Sequence, residues 1–166
     1  CVWCLFVVKL IHLVDGRFYR WIFSDKSLNI FKKYRCYDDF EKTEFDKRMQ
    51  GYAAMKVGNA APNFALNITN NKAASLYKLK AEKTIVVFWS STCPHCLEEM
   101  PKLNEWAASQ KNTKVLAVSL DTDKAIHEET IKKFPALLHT CDYKGWNTDA
   151  TTKYYIAATP TFIVLK

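Results

Sequence analysis

Thr84-Ile-Val-Val-Phe-Trp-Ser90-Ser-Thr-Cys93-Pro-His-Cys96-Leu-Glu-Glu-Met100-Pro101 is the stretch from which the rest of the 166-residue chain can be read. Its first half, Thr84–Ser90, is a continuous apolar run rich in β-branched and aromatic residues. Such a run is expected of a strand buried on both faces. The second half changes period. Leu97, Met100, Leu103 and Trp106/Ala107 recur at three- and four-residue steps, which predicts a helix from about Pro94 to Gln110. Pro94 suits the first turn of that helix, where its missing N–H costs nothing. Pro101 lies inside it and is expected to kink it. Two cysteines therefore fall at a junction between strand and helix.

Outward from this stretch the same alternation continues. Lys114–Leu120 reads as a second buried strand, Asp123–Phe134 as a helix and Leu137–Thr140 as a short strand. Thr148–Tyr155 reads as a short helix, and Thr161–Leu165 as a last strand entered by Ala158-Thr159-Pro160. This β-α-β-α-β order implies an α/β sheet with parallel central strands. Upstream, Phe64-Ala-Leu66 and Ala74–Leu79 flank Asn70-Asn71, a turn pair tolerant of positive φ, so a short hairpin is expected. The composition changes at Met55-Lys56-Val57-Gly58. The expected division is a mainly helical, aromatic-rich appendage over 1–55 and an α/β domain over 56–166.

Composition closes off other classes. Apolar residues make up 49%, aromatic residues 14%, and Gly and Pro number only 4 and 5. That excludes collagen-like and low-complexity chains and argues against disorder. The net charge of +7 is spread along the chain and is no nucleic-acid footprint, so no nucleic-acid partner is expected. No apolar run reaches the roughly 18 residues of a spanning helix. Val2–Val14 is apolar apart from Lys9 and His12. It reads equally as the remnant of a signal or anchor, with a membrane tether upstream of residue 1, or as the first buried helix of the appendage.

The six cysteines are Cys1, Cys4, Cys36, Cys93, Cys96 and Cys141. Cys93 sits where unpaired backbone N–H groups and the helix dipole stabilise a thiolate. Cys96, three residues on, faces the same helix edge, can close a disulfide with Cys93 and is expected to be less accessible. Cys93 is thus the candidate nucleophile that forms a mixed disulfide, and Cys96 the thiol that resolves it. His95 can add a charge or a donor beside the sulfur. A zinc half-site is the competing reading, but no second Cys pair or suitably spaced His pair follows. Neither metal nor cofactor is expected. Cys1 and Cys4 read as apolar filler, Cys36 and Cys141 as buried or idle thiols, and His12, His127 and His139 as surface or core histidines.

Trp89-Ser-Ser-Thr-Cys93-Pro-His-Cys96, then Glu98-Glu99-Met100-Pro101, then Ala158-Thr159-Pro160-Thr161-Phe162 together resemble the thioredoxin fold. The nearer likeness is to the TlpA-like extracytoplasmic thiol–disulfide oxidoreductases. Val57-Gly58-Asn-Ala-Ala-Pro62-Asn-Phe64 is similar to the V-G-x-x-A-P-x-F opening of that family and of the peroxiredoxins. Asp142-Tyr-Lys-Gly145-Trp146-Asn147 with Tyr154-Tyr155-Ile156 is similar to the segment before the family's last parallel strand. The resemblance covers roughly 56–166 and implies a three-layer α/β/α sandwich with a mixed, centrally parallel sheet. It implies protein thiols and disulfides as substrates, a redox partner it does not identify, and a bacterial periplasm or cell envelope as location. It makes Pro160 a cis-proline facing the cysteine pair, with the Thr159 backbone presented to an extended substrate, and it places Trp89 near the sulfurs.

Three departures accompany the likeness. Thioredoxins carry a buried Asp six residues before the first active-site Cys, where this chain has Val87. Pro-His between the cysteines is the dipeptide of the oxidising DsbA, whereas thioredoxins have Gly-Pro. The family continues beyond the strand after Pro160 with an antiparallel edge strand and a helix, so a truncated reading frame is expected at Lys166. Two other functions compete. A peroxiredoxin-like peroxidase requires Pro seven and Thr or Ser three residues before the reactive Cys, and those positions are Val86 and Ser90. A redox-regulated or vestigial thioredoxin-like binding domain is the other alternative.

Overall fold

The computed structural model describes residues 43, 46, 50, 51, 56–68 and 74–166. The expectations for Cys1, Cys4, Cys36, His12, the Asn70-Asn71 turn and nearly all of the appendage lie outside these residues. The chain divides into two compact units, Cys1–Asp46 and Lys47–Lys166, and the second carries the sheet.

Four strands form it: β1 (Lys83–Trp89), β2 (Thr113–Ser119), β3 (Leu138–Cys141) and β4 (Thr161–Leu165), in the spatial order β3-β2-β1-β4. β1 pairs parallel with β2, with Val86 opposite Leu116 and Trp89 opposite Ser119, and β2 pairs parallel with β3. β4 runs antiparallel to β1, with Val87 opposite Phe162. That corrects the expectation that the strand after Pro160 is the last parallel one. The link from β3 to β4 holds only a short helix. The chain therefore re-enters the sheet from the end it had reached, without the crossover a parallel strand needs.

The helices that follow β1 are α1 (Pro94–Ser109), α2 (Lys124–Ile131) and α3 (Asp149–Tyr154). Strand alternation sends successive side chains to opposite faces; both faces of β1 and β2 are covered, while Phe162 and Val164 of β4 are exposed. Val86, Phe88, Leu116 and Val118 point to one side and pack with Phe64, Leu76, Ala150 and Tyr154. Val87, Trp89, Val115 and Ala117 point to the other and pack with Cys96 and Met100 of α1 and with Phe134 and Leu137. This two-sided burial is why β1 and β2 read as unbroken apolar runs. The result is the expected α/β/α layering about a mixed sheet.

Cap chemistry sets the helix starts. Asp123 caps α2, its carboxylate accepting from the Ala125 and Ile126 amides at 2.8 and 3.1 Å. Tyr155 ends α3 in the left-handed region, φ 52°. α1 runs through Pro101. The proline supplies no N–H to the helix ladder at that point. Among the described residues the segment of the expected hairpin shows one antiparallel bridge, Ala65 to Ser75, and Leu76–Lys78 then forms a 3-10 helix. Tyr154 ties this segment down. Its hydroxyl donates to the Pro62 carbonyl at 2.8 Å, and its ring meets Phe64 edge-on at 5.6 Å.

Leu116 is fully buried between β1 and β3. Leu116→Ala is expected to cost about 2–5 kcal/mol, the range for deleting a buried Leu side chain. Urea unfolding of the full chain measures it, and a loss under about 1 kcal/mol would contradict this packing.

Candidate functional site

β1 ends at Trp89, and the chain turns through Ser90, Ser91 and Thr92 before α1 begins at Pro94. Cys93 is the N-cap of α1: its Sγ accepts from the Cys96 amide at 3.3 Å. A sulfur in this position takes the role that Ser or Asp usually fills, which is also the place where a thiolate gains most from the helix N-terminus. Both cysteines are present as thiols, Cys93 half-buried and Cys96 fully buried. Across from them the chain returns to β4 through a cis Thr159–Pro160 peptide, and the Cys93 thiol donates to the Thr159 carbonyl at 3.6 Å. The structure thus brings together Cys93, Cys96, Thr159 and Pro160, which are 66 residues apart in sequence between Cys93 and Thr159.

The two sulfurs differ electrostatically. Burial pushes the Cys93 thiol up, but hydrogen bonds from Cys96, from the Thr159 side chain and from the Cys96 and His95 amides outweigh it. Its pKa lies below the ordinary 9.0. Burial likewise pushes Cys96 up, and the neighbouring Cys93 adds to it; the Ser90 amide opposes the shift without cancelling it, and Cys96 is pushed up to about 11. Of the two sulfurs, Cys93 is the more readily ionised and Cys96 the more firmly protonated.

The remaining expected residues fall as follows. Trp89 is buried in the same cluster as Cys96, with Cys93 packed against it. Phe134, His127 and His139 surround its ring at 6.0, 6.1 and 6.2 Å. The His95 side chain is exposed and lies 3.8 Å from Glu98, so its contribution to the sulfur comes from the backbone amide. Val87 is fully buried among apolar neighbours. Cys141 is buried, its thiol pushed up by burial, and donates to the Asp121 carbonyl at 3.5 Å. Among the described residues no group of His, Cys, Asp or Glu is arranged to hold a metal ion.

Sequence reasoning missed Asp121. Its carboxylate is buried and accepts from Ser90 Oγ, the Ser91 amide and Ser119 Oγ at 2.8, 2.8 and 2.7 Å, with His127 Nδ1 at 2.9 Å. Burial works against the charge, yet these donors hold the carboxyl well below the usual carboxylate range. The only signal in the sequence was an Asp directly after a buried strand, six residues before a His that reads as isolated.

The asymmetry of the thiols has a direct consequence. Iodoacetamide labelling near neutral pH is expected to modify Cys93 well before Cys96. The Cys93 rate should level off at a pH below 9.0, and the Cys96 rate should still be climbing towards pH 11. Peptide mass spectrometry of the reduced, folded chain reads both, and equal rates at the two cysteines would contradict this geometry.

The chain is similar to known proteins. The AhpC/TSA family matches residues 57–160. Thiol-disulfide oxidoreductase ResA of Bacillus cereus is 34% identical over 89 residues, covering 51% of this chain and 50% of that protein. The chain spans about half the length of the curated relatives it matches. Among solved structures, a thiol-disulfide oxidoreductase from Bacteroides fragilis is 29% identical with a TM-score of 0.53, covering 64% of this chain and 82% of that one. A thioredoxin-like protein from Bacteroides caccae superposes with a TM-score of 0.67 at 21% identity, covering 84% of this chain and 52% of that one, and supports the fold. With its cysteine pair at the start of α1 and its mixed four-stranded sheet, the chain belongs to the AhpC/TSA family, as a TlpA-like protein of thioredoxin fold.

Proposed function

We propose that the chain is a thiol–disulfide oxidoreductase that works through Cys93 and Cys96. The observation that carries this reading is the pair itself. A thiol with a lowered pKa caps a helix and meets the Thr159 carbonyl, and a buried thiol sits three residues behind it.

In the reducing direction the Cys93 thiolate attacks a substrate disulfide. An S–S bond forms between Cys93 and one substrate sulfur, and the other leaves as a thiolate. Cys96 then loses its proton and attacks Cys93 Sγ. The Cys93–Cys96 disulfide forms, the second substrate sulfur leaves and takes up a proton, and two electrons have passed to the substrate. In the oxidising direction the same steps run backwards. A substrate thiolate attacks Cys93, Cys96 leaves and is protonated, and a second substrate thiolate displaces Cys93. The lowered Cys93 pKa makes it a good leaving group and stabilises the dithiol, which favours oxidation of the substrate, as does the Pro-His dipeptide.

The substrate is an extended polypeptide bearing a thiol or disulfide, lying along the Thr159 backbone in strand fashion ahead of Pro160. This chemistry suits an oxidising, extracytoplasmic compartment such as a bacterial periplasm or envelope. A peroxidase is disfavoured: Val86, where the peroxidatic motif has Pro, lies in the middle of β1 in the core.

Two variants and one titration test the reading. Cys96→Ser is expected to accumulate a mixed disulfide with a thiol-bearing protein, and Cys93→Ser to form none; exchange that persists in Cys93→Ser would refute the assignment. Equilibration against glutathione gives the direction. A potential near roughly −120 mV marks an oxidant, and one near roughly −270 mV a reductant.

A further inference from the structure

The exchange above gives no part to the buried Asp121–His127 pair. We propose that Asp121, braced by His127, is a positioning residue for the redox loop: it fixes Ser90 and Ser91, and through Ser90 the turn that presents Cys93 and faces Cys96. The proposal rests on the thiol–disulfide reading of the two cysteines.

The donor count makes the case. An ionised carboxylate only accepts, with about four lone-pair directions, and Asp121 receives four donors at 2.7 to 2.9 Å. Ser90 Oγ has one proton. Because Asp121 cannot donate, that proton goes to Asp121 Oδ1, and the Thr92 hydroxyl, at 2.9 Å, is the donor to Ser90 Oγ. His127 Nδ1 carries the proton it shares with Asp121 Oδ2, and its ring is held by Trp89 at 6.1 Å and by Tyr143 at 5.7 Å. The other groups around the pair are Ser119, whose Oγ also accepts from the Asp121 amide at 3.0 Å, and the Cys141 thiol on the Asp121 carbonyl.

A pair that only joined β2 to α2 would have no need of the loop. Here two of the four donors, the Ser90 hydroxyl and the Ser91 amide, come from it. Ser90 then has each polar group engaged. Its carbonyl accepts from the Cys93 amide at 3.2 Å, its hydroxyl goes to Asp121, and its backbone works against the burial that pushes the Cys96 thiol up. Releasing the hydroxyl frees the residue that supports both sulfurs.

The test uses the full chain with Ser90→Ala, Ser90→Thr and Asp121→Asn. Glutathione is the mixed-disulfide probe. The readouts are the pH profile of Cys96 alkylation and the lifetime of the glutathione adduct on Cys93. Ser90→Ala and Asp121→Asn are expected to move the Cys96 profile to higher pH and to lengthen the adduct lifetime about threefold or more, the scale of one lost hydrogen bond. Ser90→Thr keeps the hydroxyl and should restore both. If Ser90→Ala and Asp121→Asn lower the melting temperature but leave profile and lifetime at wild-type values, the pair is structural and the proposal is overturned. Should Asp121→Asn fail to fold, Ser90→Ala and Ser90→Thr decide alone. If the wild-type chain forms no adduct on Cys93, the thiol–disulfide reading fails, while the Cys96 profile still decides the positioning role.

Discussion

The burial of β1 on both faces is the constraint on which everything else rests. Val86 and Phe88 pack to one side, Val87 and Trp89 to the other, and all four are fully buried. A strand so placed must have its backbone groups paired on both edges, since unpaired ones would be costly away from water. β2 satisfies one edge and β4 the other. The end of β1 is therefore fixed, and the Leu120 amide on the Trp89 carbonyl at 2.8 Å fixes it further. The loop that follows starts from an immobile point, which lets a half-buried sulfur be aimed.

Position along one helix turn separates the two thiols. Cys93 stands outside the first turn, where the amides of His95 and Cys96 reach it, and Cys96 stands inside, against Trp89 and Met100. Helix N-termini favour the anion, and apolar burial disfavours it. For Cys93 the first effect wins and for Cys96 the second. One short motif thus holds two thiols of opposite acidity.

Much of this was legible in the sequence, for identifiable reasons. β1, β2 and α1 announce themselves because two-sided burial demands unbroken apolar runs and one-sided helix packing demands a period near 3.6; β4 reads as a strand from its apolar, β-branched run, although Phe162 and Val164 are exposed. Cys93 was legible because a Cys-Pro pair at a strand–helix junction has a local meaning. The direction of β4 was not: the short α3 connection is readable, but pairing partners are set by the whole sheet. The 3-10 turn at Leu76–Lys78 escaped the reading for a similar reason, since Leu76 turns into the core instead of extending. His127 was read as a surface or core residue because its partner, Asp121, lies before the α2 cap, off any helical spacing.

The location of the strongly depressed buried carboxylate found among the described residues distinguishes this site from the thioredoxin pattern it resembles. At position 87 a carboxylate would face Trp89, Cys96 and Met100, and an ionised group among such neighbours is raised in pKa and can take a proton. Asp121 sits instead at the end of β2 with four donors, which hold it ionised. A carboxylate held that way is a poor proton acceptor and a firm anchor. The proton of Cys96 then has no buried base at position 87 to receive it, and its loss depends on how well the thiolate is supported where it forms. The Ser90 amide is such a support, and Ser90 is the residue that Asp121 holds.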